Sequence, residues 1–337
     1  MNSEILVTTT RGAILDLYTT GTIAVVDSFG RLLYSAGDTT KLAFARSSAK
    51  LMQAMVPVST GACTHFGFTQ REIAQICASH SGEAIHIATI RGILKKIGLD
   101  ESYLQCGAHY PFKEDITAAM KERGETPLPI HNNCSGKHSG MLTCVQYFHE
   151  DPFTYYKPDH PHQKRITQTI GEICGYAPEQ IVLGLDGCGV PVHALPIERF
   201  AYGFARMCNP GSLPEKYQTA AKTIVDAVMA NPVITSGSDR IDNKIMSRYP
   251  GKVVVKSGAN GYFAGGIPEK GIGFAIKTDD GNAALRNIVL IEMLYQIGVI
   301  PKKDLEYFKA EHEISYFNHK QEYVGKSYAV FTLKKHF

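Results

Sequence analysis

The residues best placed to do chemistry are Ser47 and Lys50, in the stretch Ala45-Arg46-Ser47-Ser48-Ala49-Lys50-Leu51-Met52-Gln53-Ala54-Met55. Good helix formers follow Ser48, so the stretch reads as a loop that turns into a helix at Ser47. On a helix, Ser47 and Lys50 are three residues apart and share a face. Ser47 then sits at the positive end of the helix dipole, where an oxyanion is favoured. In this Ser-x-x-Lys arrangement a lysine amine can take the proton of a serine nucleophile. It can do so only when neutral, so its pKa must fall from about 10.4 through burial and a nearby positive charge. Ser48 points off the Lys50 face and ranks below Ser47 as nucleophile. One Ser-x-x-Lys is common by chance, and an N-capping Ser followed by a solvated Lys explains it as well. Other segments have to decide.

Two of them do. Ser79-His80-Ser81 falls in a turn between two expected helices, and Lys256-Ser257-Gly258 ends an expected strand. Penicillin-recognising serine enzymes carry Ser-x-x-Lys, then Ser-Asp-Asn, then Lys-Thr-Gly, in that order. Here the match is of residue type rather than of letters. In such a set Lys256 supplies the positive charge that lowers the Lys50 pKa. Ser79 relays a proton to the leaving group, oriented by Lys256, and the Ser47 amide donates to the oxyanion. His80 reads as structural. The reaction class is acyl transfer through serine.

The elements that must position these groups follow from periodicity. Residues 4 to 36 read as strands. Gly21 to Val26 and Arg31 to Tyr34 form a hairpin around the turn sequence Asp27-Ser28-Phe29-Gly30. Helices are predicted from Ser47 to about Ser59, from Gln70 to Cys77 with Thr69 as cap, and from Gly82 to Ile97 with Gly98 as stop. Residues 99 to 136 are loop-rich, with short helices over Cys106 to Pro111 and Pro127 to Gly136. Further helices are predicted at about 137–148, 161–173, 196–208 and 214–230. Another follows the polar loop Ser236-Gly237-Ser238-Asp239 to about Ser247, and one more spans about 283–297. Strands are predicted over Gln180 to Leu185, Val253 to Gly258, Gly261 to Gly266, Ile272 to Lys277 and, last, about Ser327 to Thr332. Strands therefore come first and last, with a helical middle. The expected fold is α/β (α+β): a mixed, mainly antiparallel sheet from both chain ends, flanked by helices, with a helical lobe. It makes one domain over 1–337, with the sheet lobe at about 1–45 and 250–337 and the helical lobe at about 46–249.

Composition excludes several classes. The 337 residues are 44% hydrophobic, enough for a large core. A net charge of +3, with basic residues only in short pairs, argues against nucleic acid. The N-terminal segment Met1 to Val7 has no basic region, apolar core or cleavage site. The most apolar stretch, Ile288 to Ile300, is too short to span a bilayer. No membrane contact is expected, and the expected location is cytoplasmic. The eight cysteines are then reduced and contain no Cys-x-x-Cys pair, so neither a disulfide framework nor a zinc ribbon is indicated. The segment Gly184 to Gly189 is no dinucleotide fingerprint, because no helix follows it.

Together the motifs resemble the bacterial L-asparaginase II family, the rhizobial, thermolabile type of L-asparaginase. The resemblance rests on Arg46-Ser47-Ser48-Ala49-Lys50, Ala78-Ser79-His80-Ser81-Gly82-Glu83, Asn132-Asn133-Cys134-Ser135-Gly136-Lys137-His138, Asp186-Gly187-Cys188-Gly189 and Lys256-Ser257-Gly258-Ala259-Asn260-Gly261. It covers nearly the whole chain. It implies a fold like the serine β-lactamases and glutaminases, and hydrolysis of L-asparagine to L-aspartate and ammonia. It implies two Ser-Lys pairs, Ser47 with Lys50 and Ser79 with Lys256. It also implies a zinc ion on Cys134, Lys137 and Cys188, which tunes substrate binding rather than generating the nucleophile. The homodimer is a further implication. Within this frame Arg46 suits the substrate α-carboxylate and Asp186 the α-ammonium group, although a surface ion pair and a turn-capping Asp explain them equally. His138 suits the substrate or a metal-bound water, or a supporting position behind them. Two rivals stand beside the asparaginase: another serine amidohydrolase such as a glutaminase or penicillin-type enzyme, and a non-enzymatic binding protein responding to zinc or thiols through Cys134 and Cys188.

Overall fold

A computed structural model describes residues 3–336. Strands β1 (Glu4–Arg11), β2 (Ile14–Asp27) and β3 (Leu32–Ala36) come first, and a short β4 (Leu42–Phe44) follows. In mid-chain are β5 (Val182–Leu185) and β6 (Pro191–Pro196). The end supplies β7 (Val254–Ser257), β8 (Tyr262–Ile267), β9 (Ile272–Thr278), β10 (Glu313–Phe317), β11 (Tyr323–Ala329) and β12 (Lys334–Lys335). One sheet runs β10-β11-β1-β2-β9-β8-β7, with β3 on β2 and β12 on β3. It is built from both chain ends, and its pairings among the described residues are all antiparallel. The expected mixed sheet is therefore wholly antiparallel. A second sheet, β4-β6-β5, was foreseen only at β5. Its β4 has three residues, and β6 begins and ends with proline, which hides both from a periodicity reading.

The central strands show why the sheet is stable. β2 changes from exposed at its start, where it pairs with β1, to buried from Gly21 to Asp27, where it lies between β3 and β9. Every residue of β8 is buried, so both faces of the sheet are covered there. The Ile197–Cys208 helix packs on β2, β8 and β9, and the Ala283–Gln296 helix on β1, β8, β9 and β11. The first buries Phe200, Ala201, Phe204, Ala205 and Cys208, the 3–4 spacing of one helical face. It approaches closely because Gly273 has no side chain: a Cβ there would lie 2.1 Å from the Ala201 carbonyl oxygen. Burying Ile23, Val25, Phe274 and Ile276 contributes about 1.5–3 kcal/mol each. The β2–β9 pair thus anchors the strands on which the candidate site ends. Among the described residues no helix is long and apolar enough to cross a membrane.

The helical region packs around the Ser135–Tyr147 helix, buried from Ser135 to Val145. Its small residues let neighbours in: a Cβ on Gly136 would meet the Gln75 carbonyl oxygen at 2.3 Å, so the Gln70–Ile76 helix lies directly against it. Thr69 caps that helix with a reciprocal Glu72 contact. Three expectations need correction. The first helix begins as a 3-10 turn, Arg46–Ala49, and becomes α-helical at Lys50 rather than at Ser47. The expected helix over Cys106 to Pro111 is absent, and the helix in that region is Glu114–Glu122. The last long strand lies at Tyr323–Ala329, earlier than 327–332, and β10 was not foreseen.

Candidate active site

The turn that presents Ser47 is held from both sides. Arg46 has φ +51°, a left-handed conformation costing a non-glycine residue about 1–3 kcal/mol. Its guanidinium offsets that cost by gripping Asp186: Nε (2.9 Å) and Nη2 (2.6 Å) both donate to Oδ1. Ser48 is buried and donates to the Lys256 carbonyl oxygen at 2.8 Å, tying the turn to β7. That bond draws the chain into a 3-10 turn before the helix proper. Ser47, left half-buried, lines a cleft of about 290 Å³. Its amide N–H makes no hydrogen bond among the described residues, which leaves it free to receive an oxyanion.

Ser79 lines the same cleft. Its turn is fixed by Ser79 N–H donating to the Thr235 carbonyl (3.0 Å) and His80 N–H to the Asn133 carbonyl (3.3 Å). Lys50 reaches it from below: its Nζ lies 2.8 Å from Ser79 Oγ, 2.8 Å from the Ala78 carbonyl oxygen and 3.5 Å from that of Asn133. The hydrogen bond therefore joins Lys50 to Ser79, across the expected pairs Ser47–Lys50 and Ser79–Lys256. Lys50 is 1% exposed, and no carboxylate lies within ion-pair range among the described residues. Burial lowers its pKa, with the Lys137 charge acting the same way and the Cys134 and Cys188 thiols acting against it. A neutral amine suits this niche. Its two N–H groups face two carbonyls, and its lone pair can accept the Ser79 hydroxyl proton across the same 2.8 Å.

Lys256 sits on β7 with no exposure. Its Nζ donates to the Ser257 carbonyl (3.0 Å) and stands 3.9 Å from Asp242. Burial pulls it down to about 7, with the Asp242 carboxylate opposing and the Lys50 charge assisting. Asp242 is itself occupied, accepting from Ser257 N–H at 2.7 Å. The carboxylate thus fixes the strand end that carries Ser257, Gly258 and Ala259 into the cleft wall.

Cys134, Lys137 and Cys188 converge beside this base. Cys134 and Cys188 line the cleft, and buried Lys137 Nζ donates to Cys188 Sγ at 3.0 Å. The hydrogen bond from Cys134 pulls the Cys188 thiol down to about 4 against burial, and the Lys137 charge assists. Cys134, the donor, is pushed up to about 12 by that hydrogen bond and by burial. Burial lowers Lys137, but the Cys188 and Cys134 thiols and Asp186 outweigh it and hold the amine above its ordinary value. Among the described residues no cluster of three His, Cys, Asp or Glu side chains could hold a metal. The Cys-Lys-Cys set nevertheless fits zinc in number and convergence, provided Cys134 and Lys137 give up their protons.

His138 is fully buried and does not line the cleft. Its Nδ1 lies 2.6 Å from the Tyr155 hydroxyl, which also accepts from Gln105 N–H at 2.9 Å. Among the described residues the Tyr155 hydroxyl proton has no other acceptor, so Nδ1 accepts it and Nε2 carries the hydrogen. Nε2–H has no partner among the described residues. His138 is accordingly a donor and not a metal ligand in this tautomer. His80 spends both nitrogens on its surroundings, accepting from Gly82 N–H and bonding Ser135 Oγ, as a structural residue does. Arg46 and Asp186, each expected to hold one end of a substrate, hold each other. Asp186 Oδ1 also accepts from Gly187 N–H, which leaves Oδ2 as its unused oxygen.

The fold thus brings Arg46, Ser47, Ser79, Cys134, Asp186 and Cys188 onto one cleft, with Lys50, Lys137 and Lys256 beneath it and His138 behind. The sequence reading missed His109, Phe112 and Arg240 on the walls, and Tyr155 behind His138. Asn133 lies in the polar run 131–140, which was a usable signal. Phe112, Tyr155 and Arg240 carried none.

Residues 7–329 match the family described as L-asparaginase II. No curated protein matches the chain. Among solved structures, that of Mglu in its native form is 14% identical, with 85% of this chain and 66% of that chain covered and a TM-score of 0.46. A β-lactamase from Mycobacterium bovis is 10% identical, with 81% and 93% covered and a TM-score of 0.38. The chain thus spans just under two thirds of Mglu's length, and both likenesses are too distant to carry function.

Proposed function

Because the chain belongs to the L-asparaginase II family, an amidohydrolase family, we propose that it hydrolyses the side-chain amide of L-asparagine to L-aspartate and ammonia through a serine activated by a lysine amine. The observation that carries this reading is Lys50: a buried amine, without a carboxylate partner, 2.8 Å from a serine hydroxyl in the cleft. Burial lowers its pKa, the direction that a base needs.

Ser47 Oγ attacks the carboxamide carbon. Its proton passes to Lys50 by way of the Ser79 hydroxyl, and the oxyanion is received by Ser47 N–H. As the tetrahedral intermediate collapses, the proton returns through Ser79 to the amide nitrogen, and ammonia leaves. Water, deprotonated along the same route, then cleaves the aspartyl ester and regenerates Ser47. Lys256 and Asp242 position the 257–259 wall. Zinc, when bound, would be held by Cys134, Lys137 and Cys188 and would supply positive charge near the substrate. The same reading takes the chain as one domain, acting as a homodimer in the cytoplasm.

A second mechanism has its own support: the amine touches Ser79, not Ser47, which favours Ser79 as the nucleophile. Ammonia release from L-asparagine and L-glutamine by wild type, Ser47→Ala and Ser79→Ala tests both. Asparagine turnover, reduced about 10³-fold by Ser47→Ala, with a trapped ester mapped to Ser47 by mass spectrometry, is the expected result. An ester on Ser79 would transfer the nucleophile there. Preference for glutamine, by the 10–200-fold that one methylene supplies, would make the protein a glutaminase.

A further inference from the structure

We propose that Arg240 anchors the α-carboxylate of the substrate, the place expected of Arg46. Two arginines line the cleft, Arg46 and Arg240. Arg46 has spent its fork on Asp186, with two donors on one oxygen. Arg240 has not: among the described residues its guanidinium makes no hydrogen bond and no ion pair, and its one recorded contact is the Phe112 ring at 6.0 Å. A guanidinium facing a cleft without an acceptor is prepared for a carboxylate, which it binds through two parallel N–H groups. This inference rests on the proposed amino-acid amide substrate and adds the group that reads its carboxylate.

The backbone behind Arg240 is rigid, as an anchor requires. Arg240 is the residue before the Ile241–Arg248 helix. The loop leading to it is clamped to the Ser79–Glu83 turn: Ser81 Oγ donates to the Ser236 carbonyl (3.1 Å), and Ser238 N–H donates to Glu83 Oε1 (2.8 Å). Gly237, at φ +137°, lets the two segments touch, since a Cβ there would lie 2.1 Å from Ser81 Oγ. Lys113 pins the same loop through Ser238 Oγ at 2.9 Å. The turn that carries Ser79 therefore also sets Arg240, so the Ser79 hydroxyl that relays the proton and the carboxylate anchor belong to one fixed frame. Across the cleft, Asp186 keeps Oδ2 unused for the ammonium group. Carboxylate and ammonium then have separate partners, which a locked Arg46–Asp186 pair alone does not provide.

The test measures binding separately from turnover. L-Aspartate is titrated calorimetrically into wild type, Arg240→Gln and Arg240→Lys. Ammonia release is followed in parallel from L-asparagine and from 3-aminopropanamide, which keeps the amine and the amide but has no carboxylate. The expected result is aspartate binding weakened 10- to 100-fold in Arg240→Gln and partly restored in Arg240→Lys, with KM for asparagine raised in step. Turnover of 3-aminopropanamide should be equal in wild type and Arg240→Gln, which a misfolded or merely loosened variant would not show. Equal aspartate affinity in wild type and Arg240→Gln overturns the proposal, as does no aspartate binding by wild type or an equal loss on the carboxylate-free amide. Aspartate binding that depends on Arg240, with no ammonia released from any amide, would leave the anchor standing and defeat the proposed function.

Discussion

Two buried lysines a few side chains apart have opposite fates. Lys50 faces two carbonyls and a serine hydroxyl, none of them an anion, and its pKa falls. Lys137 faces the Cys188 sulfur, drawn down to about 4, and its pKa rises. Burial lowers both, so the balance of neighbouring charges decides. At Lys50 the Cys134 and Cys188 thiols oppose burial without outweighing it; at Lys137 the same thiols, with Asp186, outweigh it. The cleft therefore has a basic floor under Ser79 and a charge-paired wall at Arg46–Asp186 and Lys137–Cys188.

The largest effect should come from breaking the floor. Lys50→Met removes the base, so kcat/KM for asparagine should fall 10³-fold or more, about 4 kcal/mol in the barrier. Stability at pH 7 should be unchanged or higher, because a desolvated amine has been replaced by an apolar chain of similar length. Steady-state kinetics and urea denaturation of one preparation check both halves. The wall behaves in the opposite way. In metal-free protein, Cys188→Ala strands Lys137 without its anion, and urea denaturation should show a loss of about 3 kcal/mol. Adding Lys137→Met to Cys188→Ala should recover part of it. A Cys188→Ala protein as stable as wild type would erase the contrast between the two lysines.

Lys256 sharpens the comparison through pH. Its folded value of about 7 lies below the ordinary 10.5, so above pH 7 the unfolded chain holds a proton that the folded one does not. Stability from this group is fully present above the unfolded pKa and is lost as pH falls to about 7. Between pH 9 and pH 7 the wild type should lose of order 2 kcal/mol more than Lys256→Met. Equal losses would mean that Asp242, 3.9 Å away, keeps the amine charged.

Much of this architecture was legible in the chain. Alternation and turn residues located the hairpin around Asp27-Ser28-Phe29-Gly30, where Asp27 Oδ1 accepts from Phe29 and Arg31 N–H. The apolar strands near both ends predicted a sheet closed by the two termini. Local spacing also put Ser47 near Lys50. It could not show that Lys50 bonds Ser79, because that contact joins residues 29 apart and depends on how the turn after the Gln70–Ile76 helix passes over Lys50. Arg46 and Asp186, 140 residues apart, are a stronger case: each has the chemistry to hold substrate, and only the β4-β6-β5 sheet shows that they meet. Tyr155 and Arg240 left no trace, since a lone Tyr or Arg in a loop or before a helix carries no pattern.

The central claim is that Lys50 is a neutral amine at the floor of the cleft. Its direct test is a pH titration of metal-free protein carrying 13C-labelled lysine, followed by NMR at the ε carbons, with Lys50→Met to assign the signal. The account predicts one lysine resonance that titrates below the ordinary value of 10.5 and is missing from Lys50→Met. If the Lys50 resonance instead stayed that of an ammonium group through pH 10.5, Lys50 could not be the base, and the Ser47–Ser79–Lys50 route would be wrong.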